Sequence, residues 1–240
     1  MDNSDEFLNQ YRILEEELYR KYNFDDRSYG SPIVRFINDK EGRQFKDKLN
    51  LCREIRNLLS HHADIDGESI LEPSTAMINF LKEVTDYVRQ PPLALEFATV
   101  YENIMKTNLS QRVQTVMQKM EKRGFSHVPV MSDGEFVGIF SVSTIFSYIL
   151  QNNLESLNDD MIIGDFSDIL PIEKHSSERF KFVGEDATLL DVKLEFENKS
   201  QRNKRLAAIF ITDNGSQSGR ILGMLTPWDI LGKDLSVRGK

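Results

Sequence analysis

The chain has 240 residues, of which 40% are hydrophobic, and carries a formal net charge of −8 at pH 7. This is enough for one or two domains with buried cores. The negative charge disfavours a general DNA-binding protein, because such proteins present a basic surface to the phosphates. Residues 1–6 lack the features of a signal peptide, and no apolar run approaches the ~20 residues of a membrane span. We therefore expect a cytoplasmic protein that binds neither DNA nor a membrane.

The first third of the chain shows the apolar spacing of amphipathic helices. Helices are predicted from residue 4 to 22, from 33 to 37, from 43 to 61 and from about 72 to 88. Four such helices with short connections fit an antiparallel bundle. The chain's single cysteine, Cys52, lies on the apolar stripe of the third helix and is predicted to be buried. The pair Pro91-Pro92 ends the fourth helix and marks the expected domain boundary.

The third predicted helix carries the residues of this region that suggest chemistry. Arg56, Asn57 and His61 form the pattern Arg-Asn-x-x-x-His near the end of the helix, which resembles the signature of HEPN domains. The resemblance implies a metal-independent ribonuclease. In family members with a working site, the histidine helps to deprotonate a 2′-hydroxyl and the arginine stabilises the phosphate. Asn57 and His61 share a helix face, whereas Arg56 and His61 lie about 140° apart on an ideal helix. The last two therefore meet only at a frayed helix end or across a dimer.

The alternative is a structural role, in which Arg56 and Asn57 cap the helix or form salt bridges within the bundle, while His61 and His62 favour the helix C-terminus through the helix dipole. The sequence therefore leaves open whether the chain is an enzyme. His61 and His62 with Asp64 and Asp66 match no known metal-ligand spacing, so no metal site is predicted.

The rest of the chain contains a diverged internal repeat. Residues 125–141 predict a strand, an Asp133-Gly134 turn and a second strand, and residues 206–225 follow the same order. Each copy is preceded by a predicted strand and helix and followed by a helix, so the order βαββα is expected twice. These flanking elements are predicted at 95–100, 109–122, 144–151, 179–183, 189–196 and 228–235. The linker between the copies, 151–177, has apolar patches and is expected to pack against them.

The sequences 126–130 (SHVPV), 137–141 (VGIFS) and 222–230 (LGMLTPWDI) give this repeat a family resemblance. Together with the element order, they resemble a tandem pair of CBS domains, a Bateman module, over residues 93–240, with repeats at about 93–151 and 175–240. The fold class is thus expected to be α+β, with an antiparallel helical bundle in residues 1–92 before the CBS pair. The resemblance implies a regulatory sensor of an adenosine-bearing ligand such as AMP, ATP, S-adenosylmethionine or cyclic di-AMP, with no other cofactor required.

The second repeat holds the more complete candidate site. Thr226 stands at a helix N-cap after Gly223, and Asp229 follows three residues later. The hydroxyl can donate to a ligand oxygen, and the carboxylate can accept from a ribose diol. Adenine is expected against the apolar strand, whose residues are Leu206, Ala207, Ala208 and Ile209. The alternative is that Thr226 and Asp229 form only a capping box.

The first repeat offers a less complete set. Ser141 takes the hydroxyl position, but Thr144 replaces the carboxylate, so this site is expected to be weak or empty. The strand residues assigned to ligand binding are Ser126, His127, Val128 and Pro129. His127 is interpreted as lining a core or cleft and not as a catalyst.

Three hypotheses follow. In the first, an adenosyl ligand binds the CBS pair, which signals to or through a dimerising helical domain. The second is a nucleotide-gated ribonuclease that uses Arg56, Asn57 and His61, and only this hypothesis implies an RNA partner. The third is a scaffold with degenerate sites. A homodimer is expected in each case.

Overall fold

The computed structural model describes residues 2–23, 30–61, 64–65, 68–69, 71–153, 157–198 and 204–231, with the backbone alone for 61, 64–65 and 68–69. The chain forms two compact units, one ending at Pro92 and the other beginning at Leu93. The first contains an N-terminal helical region, and the second contains mixed sheets and helices.

Four α-helices form the first unit: α1 (Asn3–Tyr22), α2 (Pro32–Asn38), α3 (Lys46–His61) and α4 (Thr75–Arg89). The Asp2 carboxylate caps α1 by accepting hydrogen bonds from the Ser4 and Asp5 amides. Pro32 begins α2, where its fixed φ suits the first helical turn. A 3₁₀ turn (Arg43–Phe45) occupies the start of the third predicted helix, so the α-helix begins three residues later than expected.

The apolar stripes of these helices form one core. Its fully buried side chains include Phe7, Leu14, Phe36, Leu49 and Leu81. Cys52 is buried, as predicted, and burial raises the pKa of its thiol to about 11. Two short antiparallel strands, β1 (Asp64–Ile65) and β2 (Glu68–Ser69), lie between α3 and α4.

The second unit contains the remaining elements. Its strands are β3 (Thr99–Val100), β4 (Thr107–Asn108), β5 (His127–Ser132), β6 (Glu135–Ser141), β7 (Glu178–Gly184), β8 (Arg205–Thr212) and β9 (Ile221–Leu225). Its helices are α5 (Val113–Arg123), α6 (Val142–Gln151), α7 (Leu189–Glu197) and α8 (Pro227–Ile230).

Two sheets organise these strands. One has the order β4-β5-β6, and the other has the order β3-β9-β8-β7. Within each sheet, the strand before a helix pairs in parallel with the strand after it: β4 with β5 across α5, and β7 with β8 across α7. The two remaining hairpin pairs, β5-β6 and β8-β9, are antiparallel.

The strand predicted at 95–100 is wrong over most of its length. Residues Ala94–Phe97 form a 3₁₀ turn, and only Thr99–Val100 is extended. This short strand pairs with β9, which belongs to the second copy of the repeat. The strand that pairs with β5 is β4, which the sequence analysis did not predict because two residues carry no alternation. Helix α8 ends at Ile230, because the backbone of Leu231 is no longer helical, so the last helix ends earlier than the predicted residue 235. Residues 232–235 lie outside the described residues.

The predicted Asp133-Gly134 turn is confirmed. Both residues have positive φ, 51° and 86°, as the tight hairpin turn between β5 and β6 requires. Among the helices that the structure describes, none is long and apolar enough to cross a membrane.

The linker between the copies packs against β6, as predicted. Phe166 and Leu170 are buried with Phe140 in one core, and the Ile139 amide donates to the Leu170 carbonyl at 2.9 Å. A Cβ atom on Gly138 would lie 2.1 Å from that carbonyl oxygen. Gly138 therefore permits the linker backbone to approach the strand.

Gly138→Ala is expected to lower the free energy of unfolding by about 2 kcal/mol or more, because the backbone of residue 170 must move and the adjoining core with it. Urea unfolding monitored by circular dichroism measures the loss. Gly134→Ala serves as the comparison: no atom lies within 4 Å of its added Cβ, so its cost is the left-handed conformation, about 1 kcal/mol. A Gly138→Ala variant as stable as the wild type would contradict this packing.

Candidate functional site

A cavity of about 370 Å³ lies at the start of α8 in the second unit. Its wall contains polar side chains of Thr99, Asn103, Ser126, His127, Thr226 and Asp229. Its apolar and aromatic lining comes from Ile104, Met105, Phe125, Met224 and Trp228. Cavities of this size and mixed lining are typical of small-molecule sites.

Thr226 and Asp229 meet in this wall. The Thr226 amide and its hydroxyl both donate to Oδ2 of Asp229, each at 2.7 Å. This is the capping box that the sequence analysis gave as the alternative to a ligand site. Both residues are only partly buried and face the cavity, so the box and a ligand site are compatible: a carboxylate has two oxygens, and the second, Oδ1, accepts from no described residue.

His127 connects the cavity wall to the interior. Its Nδ1 lies 2.8 Å from the Ser126 hydroxyl, and its Nε2 lies 3.1 Å from Oε1 of Glu178. Nε2 makes no hydrogen bond with a described residue, so the contact with Glu178 is an ion pair when the ring is protonated. The ring also meets Phe180 edge-on, with the ring centroids 5.8 Å apart. These contacts fix the imidazole in the wall.

Glu178 is a buried carboxylate, with 2% of its side chain exposed. Arg205 donates to Oε1 at 3.0 Å, and the Ser141 hydroxyl donates to Oε2 at 3.5 Å. Burial by itself raises the pKa of Glu178, but the contacts with His127 and Arg205 outweigh it and lower the pKa to about 2. Glu178 is therefore an anion at every physiological pH.

His175 lies beside this group, and its environment favours the neutral form of the side chain, whereas that of Glu178 favours the charged form. Burial lowers its pKa, and its ring packs edge-on against Phe180 at 5.1 Å between centroids. Below about pH 6.5, His175 is protonated in the unfolded state but stays neutral in the folded state. The free energy of unfolding therefore falls as the pH drops below this value.

The first repeat's pair, Ser141 and Thr144, is closed. Both side chains are buried, and each accepts a hydrogen bond from the other's amide at 3.2 Å. Thr144 also donates to the Ile139 carbonyl. Because Glu178 lies against Ser141, the protein's own carboxylate stands beside the hydroxyl that the sequence analysis assigned to a ligand.

The structure brings Ser126, His127, Thr226 and Asp229 to one cavity, but it does not bring the other predicted residues there. Val128 and Pro129 are buried in β5, and Gly223 is buried in β9, where it pairs with Val100. The predicted adenine-binding residues are also buried, namely Leu206, Ala207, Ala208 and Ile209. The two alanines belong to the core that includes Phe180 and Phe210.

Several lining residues were missed. Asn103, Ile104 and Met105 lie between β3 and β4, in a segment that the sequence analysis left without a role. Glu178 was missed because the strand was predicted to begin one residue later, which placed this acidic residue in the linker. The one feature of the sequence that could have identified Glu178 is its position as an acidic residue at the start of an apolar strand.

A second cavity, of about 530 Å³, lies between the β5-β6 turn and the loop before β9. Its lining includes Gly134, Phe136, Ser218 and Arg220. None of the predicted site residues lines it. The first cavity is the stronger candidate because four of the predicted site residues, Ser126, His127, Thr226 and Asp229, line it.

In the helical unit, Arg56 and Asn57 are adjacent and interact. Arg56 donates to Oδ1 of Asn57 at 3.3 Å, and its guanidinium lies 5.8 Å from the Tyr11 ring centroid. The side chain of His61 lies outside the described residues. The interpretation of these three residues as a ribonuclease site therefore stays a prediction, as does the HEPN resemblance.

Glu178→Gln is expected to lower the free energy of unfolding by about 2–3 kcal/mol at pH 7, because it leaves His127 facing a neutral amide and breaks the pair with Arg205. Glu185→Gln, an exposed change in the same strand-turn region, is expected to change the free energy of unfolding by no more than about 0.5 kcal/mol.

The lowered pKa of Glu178 stabilises the fold above pH 4.5, and this stabilisation is lost as the pH falls toward 2. The wild-type advantage, measured by urea unfolding from pH 7 to 3, should therefore shrink below pH 4.5. An advantage of zero at pH 7 would contradict this account.

Comparisons with known proteins find similarity to a CBS domain in part of the chain. The family model described as CBS domain matches residues 86–151. A DUF21 domain-containing protein of Arabidopsis thaliana is 27% identical over 119 residues, which are 47% of this chain. This chain spans 24% of the length of that curated relative.

Several solved structures are also similar to part of this chain. CBSX2 in complex with AMP is 17% identical and has a TM-score of 0.40; the match covers 58% of this chain and 93% of CBSX2. The CBS domain pair of MJ0100, in complex with 5′-methylthioadenosine and S-adenosyl-L-methionine, has the same identity and coverage and a TM-score of 0.39. A conserved domain of unknown function from Neisseria meningitidis is 17% identical with a TM-score of 0.44, over 79% of this chain and 99% of that one. The similarity of residues 86–151 to a CBS domain rests on the family model match.

Proposed function

We propose that this chain is a regulatory protein that binds an adenosine-bearing small molecule in the cavity at the start of α8. In this proposal, residues 93–240 form a CBS pair with two βαββα repeats, and residues 1–92 form a helical domain that dimerises and carries the signal. The observation that supports it most is that Thr226 and Asp229, assigned to a ribose from the sequence, line a cavity with polar and aromatic walls.

The lining residues provide contacts for each part of a nucleoside. Oδ1 of Asp229 is placed to accept from ribose hydroxyls, because Oδ2 already accepts from Thr226. A planar base would contact the aromatic and methionine side chains of Phe125, Trp228, Met105 and Met224, which favour flat, polarisable groups. The base edge would meet Asn103 and the backbone beside it, in place of the predicted contact with 206–209.

The closed first repeat limits the number of ligands. Ser141 and Thr144 bond to each other, and Glu178 supplies the carboxylate there. We therefore expect one ligand to bind per chain, because the pair in the first repeat is closed.

Asp229→Ala is expected to weaken adenosine binding at least tenfold, because the ribose loses its charged acceptor. Isothermal titration calorimetry on the full chain measures the affinity and stoichiometry. Trp228, the single tryptophan, lines the cavity and gives a second, fluorescence readout.

Asp191→Ala is the matched control. Thr188 and Asp191 form the same kind of capping box at the start of α7, with the Thr188 amide at 3.0 Å and its hydroxyl at 2.7 Å from Oδ2. This variant removes an equivalent cap that lies outside the cavity lining, so it should lose similar stability and keep wild-type affinity. The proposal fails if adenosine, AMP, ATP, S-adenosylmethionine and cyclic di-AMP all fail to bind the folded wild type at millimolar concentration.

A further inference from the structure

We propose that the second cavity, between the β5-β6 turn and the loop before β9, binds a free α-amino acid with an apolar side chain. Its volume of about 530 Å³ is within the range of small-molecule sites. It shares no lining residue with the cavity at the start of α8, so this site is independent of the proposed function.

Two opposite charges in the cavity wall point to a zwitterion. Among the described residues that line the cavity, Glu135 and Arg220 are the charged ones. They form no ion pair with each other, because Arg220 pairs with Asp213, which lies outside the lining. A ligand with a single charge would meet one attractive and one repulsive group. A zwitterion can place each of its charges beside the opposite charge of the wall.

Both charged groups have free capacity for a ligand. The Arg220 Nε lies 3.8 Å from Oδ2 of Asp213, which is too far for a hydrogen bond, so the terminal nitrogens of the guanidinium can still bind a carboxylate. Among the described residues, the side chain of Glu135 has no hydrogen-bond or ion-pair partner. Its carboxylate oxygens can accept hydrogen bonds from an ammonium group.

An apolar surface lies in the same cavity and would receive the side chain of the amino acid. Phe136 lines it, and its ring is held edge-on against Phe182, with the ring centroids 5.5 Å apart. Met131 and Ile221 add apolar area, and Tyr101 adds a second aromatic ring. Burying an apolar side chain against these groups is favourable, so the lining favours an apolar amino acid over a polar one.

Hydrogen bonds within the loop before β9 form this wall before any ligand binds. The Asn214 side-chain oxygen accepts from the Ser216 amide and from its hydroxyl, each at 2.9 Å. The Thr212 hydroxyl donates to the Ser216 carbonyl, and the Arg220 amide donates to Oδ1 of Asp213 at 3.0 Å. A loop fixed in this way lowers the entropy that binding must cost.

The test is calorimetry on the full chain with three ligands that share one ring: L-phenylalanine, 3-phenylpropanoate, which lacks the ammonium group, and 2-phenylethylamine, which lacks the carboxylate. L-phenylalanine is expected to bind about fivefold more tightly than either of the others, since each lost contact is between exposed charges. L-leucine, 4-methylpentanoate and 3-methylbutylamine form the corresponding aliphatic set.

Two variants assign each charge of the ligand to its partner. Arg220→Gln should weaken the binding of L-phenylalanine about fivefold but not that of 2-phenylethylamine, which has no carboxylate. Glu135→Gln should weaken the binding of L-phenylalanine but not that of 3-phenylpropanoate. Both residues are exposed, so both variants should fold. Glu102→Gln is the matched control, because Glu102 is exposed beside Tyr101 but lies outside the lining, and it should keep wild-type affinity.

A loss of affinity common to all three ligands in either variant would overturn the inference, because it would indicate a structural effect and not recognition of a charge. Failure of both amino acids to bind the folded wild type at millimolar concentration would also overturn it. Asp229→Ala, which changes the α8 cavity, should leave these affinities unchanged. A loss in that variant would place the amino acid in the α8 cavity and contradict the inference, whatever the result with adenosine.

Discussion

The buried Glu178 carboxylate is the constraint on which the second unit depends. It begins β7, and it contacts His127 on β5, Ser141 at the end of β6 and Arg205 at the start of β8. The Glu178 carboxylate therefore links the start of the second repeat to β5 and β6, the two hairpin strands of the first repeat. Desolvating a carboxylate is costly, and the fold tolerates it because partners surround the charge. The same contacts position His127 in the wall of the cavity.

Because of the contacts of Glu178, the helix-start residues of the two repeat copies have different surroundings. In the first copy, Ser141 and Thr144 are buried and satisfied by each other and by Glu178. In the second, Thr226 and Asp229 remain partly exposed beside a cavity. A threonine in place of an aspartate at position 144 leaves that side without its own carboxylate, and Glu178 supplies one from the neighbouring repeat. One copy thus holds the structure together, and the other keeps the features of a binding site.

The sequence predicted the helices and the hairpins because their signals are local. Apolar spacing located α1, α3 and α4, and the Asp133-Gly134 pair located the turn. The short strands β3 and β4 were not predictable in this way, because two residues show no alternation and their positions are set by pairing with β9 and β5. Local reasoning identified Thr226 and Asp229 as a pair. It missed Glu178, whose role exists only through contacts with residues far away in the chain. The contact between the base and residues 206–209 stays a prediction, and these four residues are buried in the sheet.

The central claim is that one adenosine-bearing ligand binds per chain, at the start of α8, while the first repeat is closed by Glu178. A crystal structure of the full chain grown with adenosine tests it most directly. The account predicts density for one nucleoside per chain, with the ribose hydroxyls within hydrogen-bond distance of Asp229 and the Ser141–Glu178 contact intact. Density for the nucleoside beside Ser141 and Thr144, with Glu178 displaced, would contradict it.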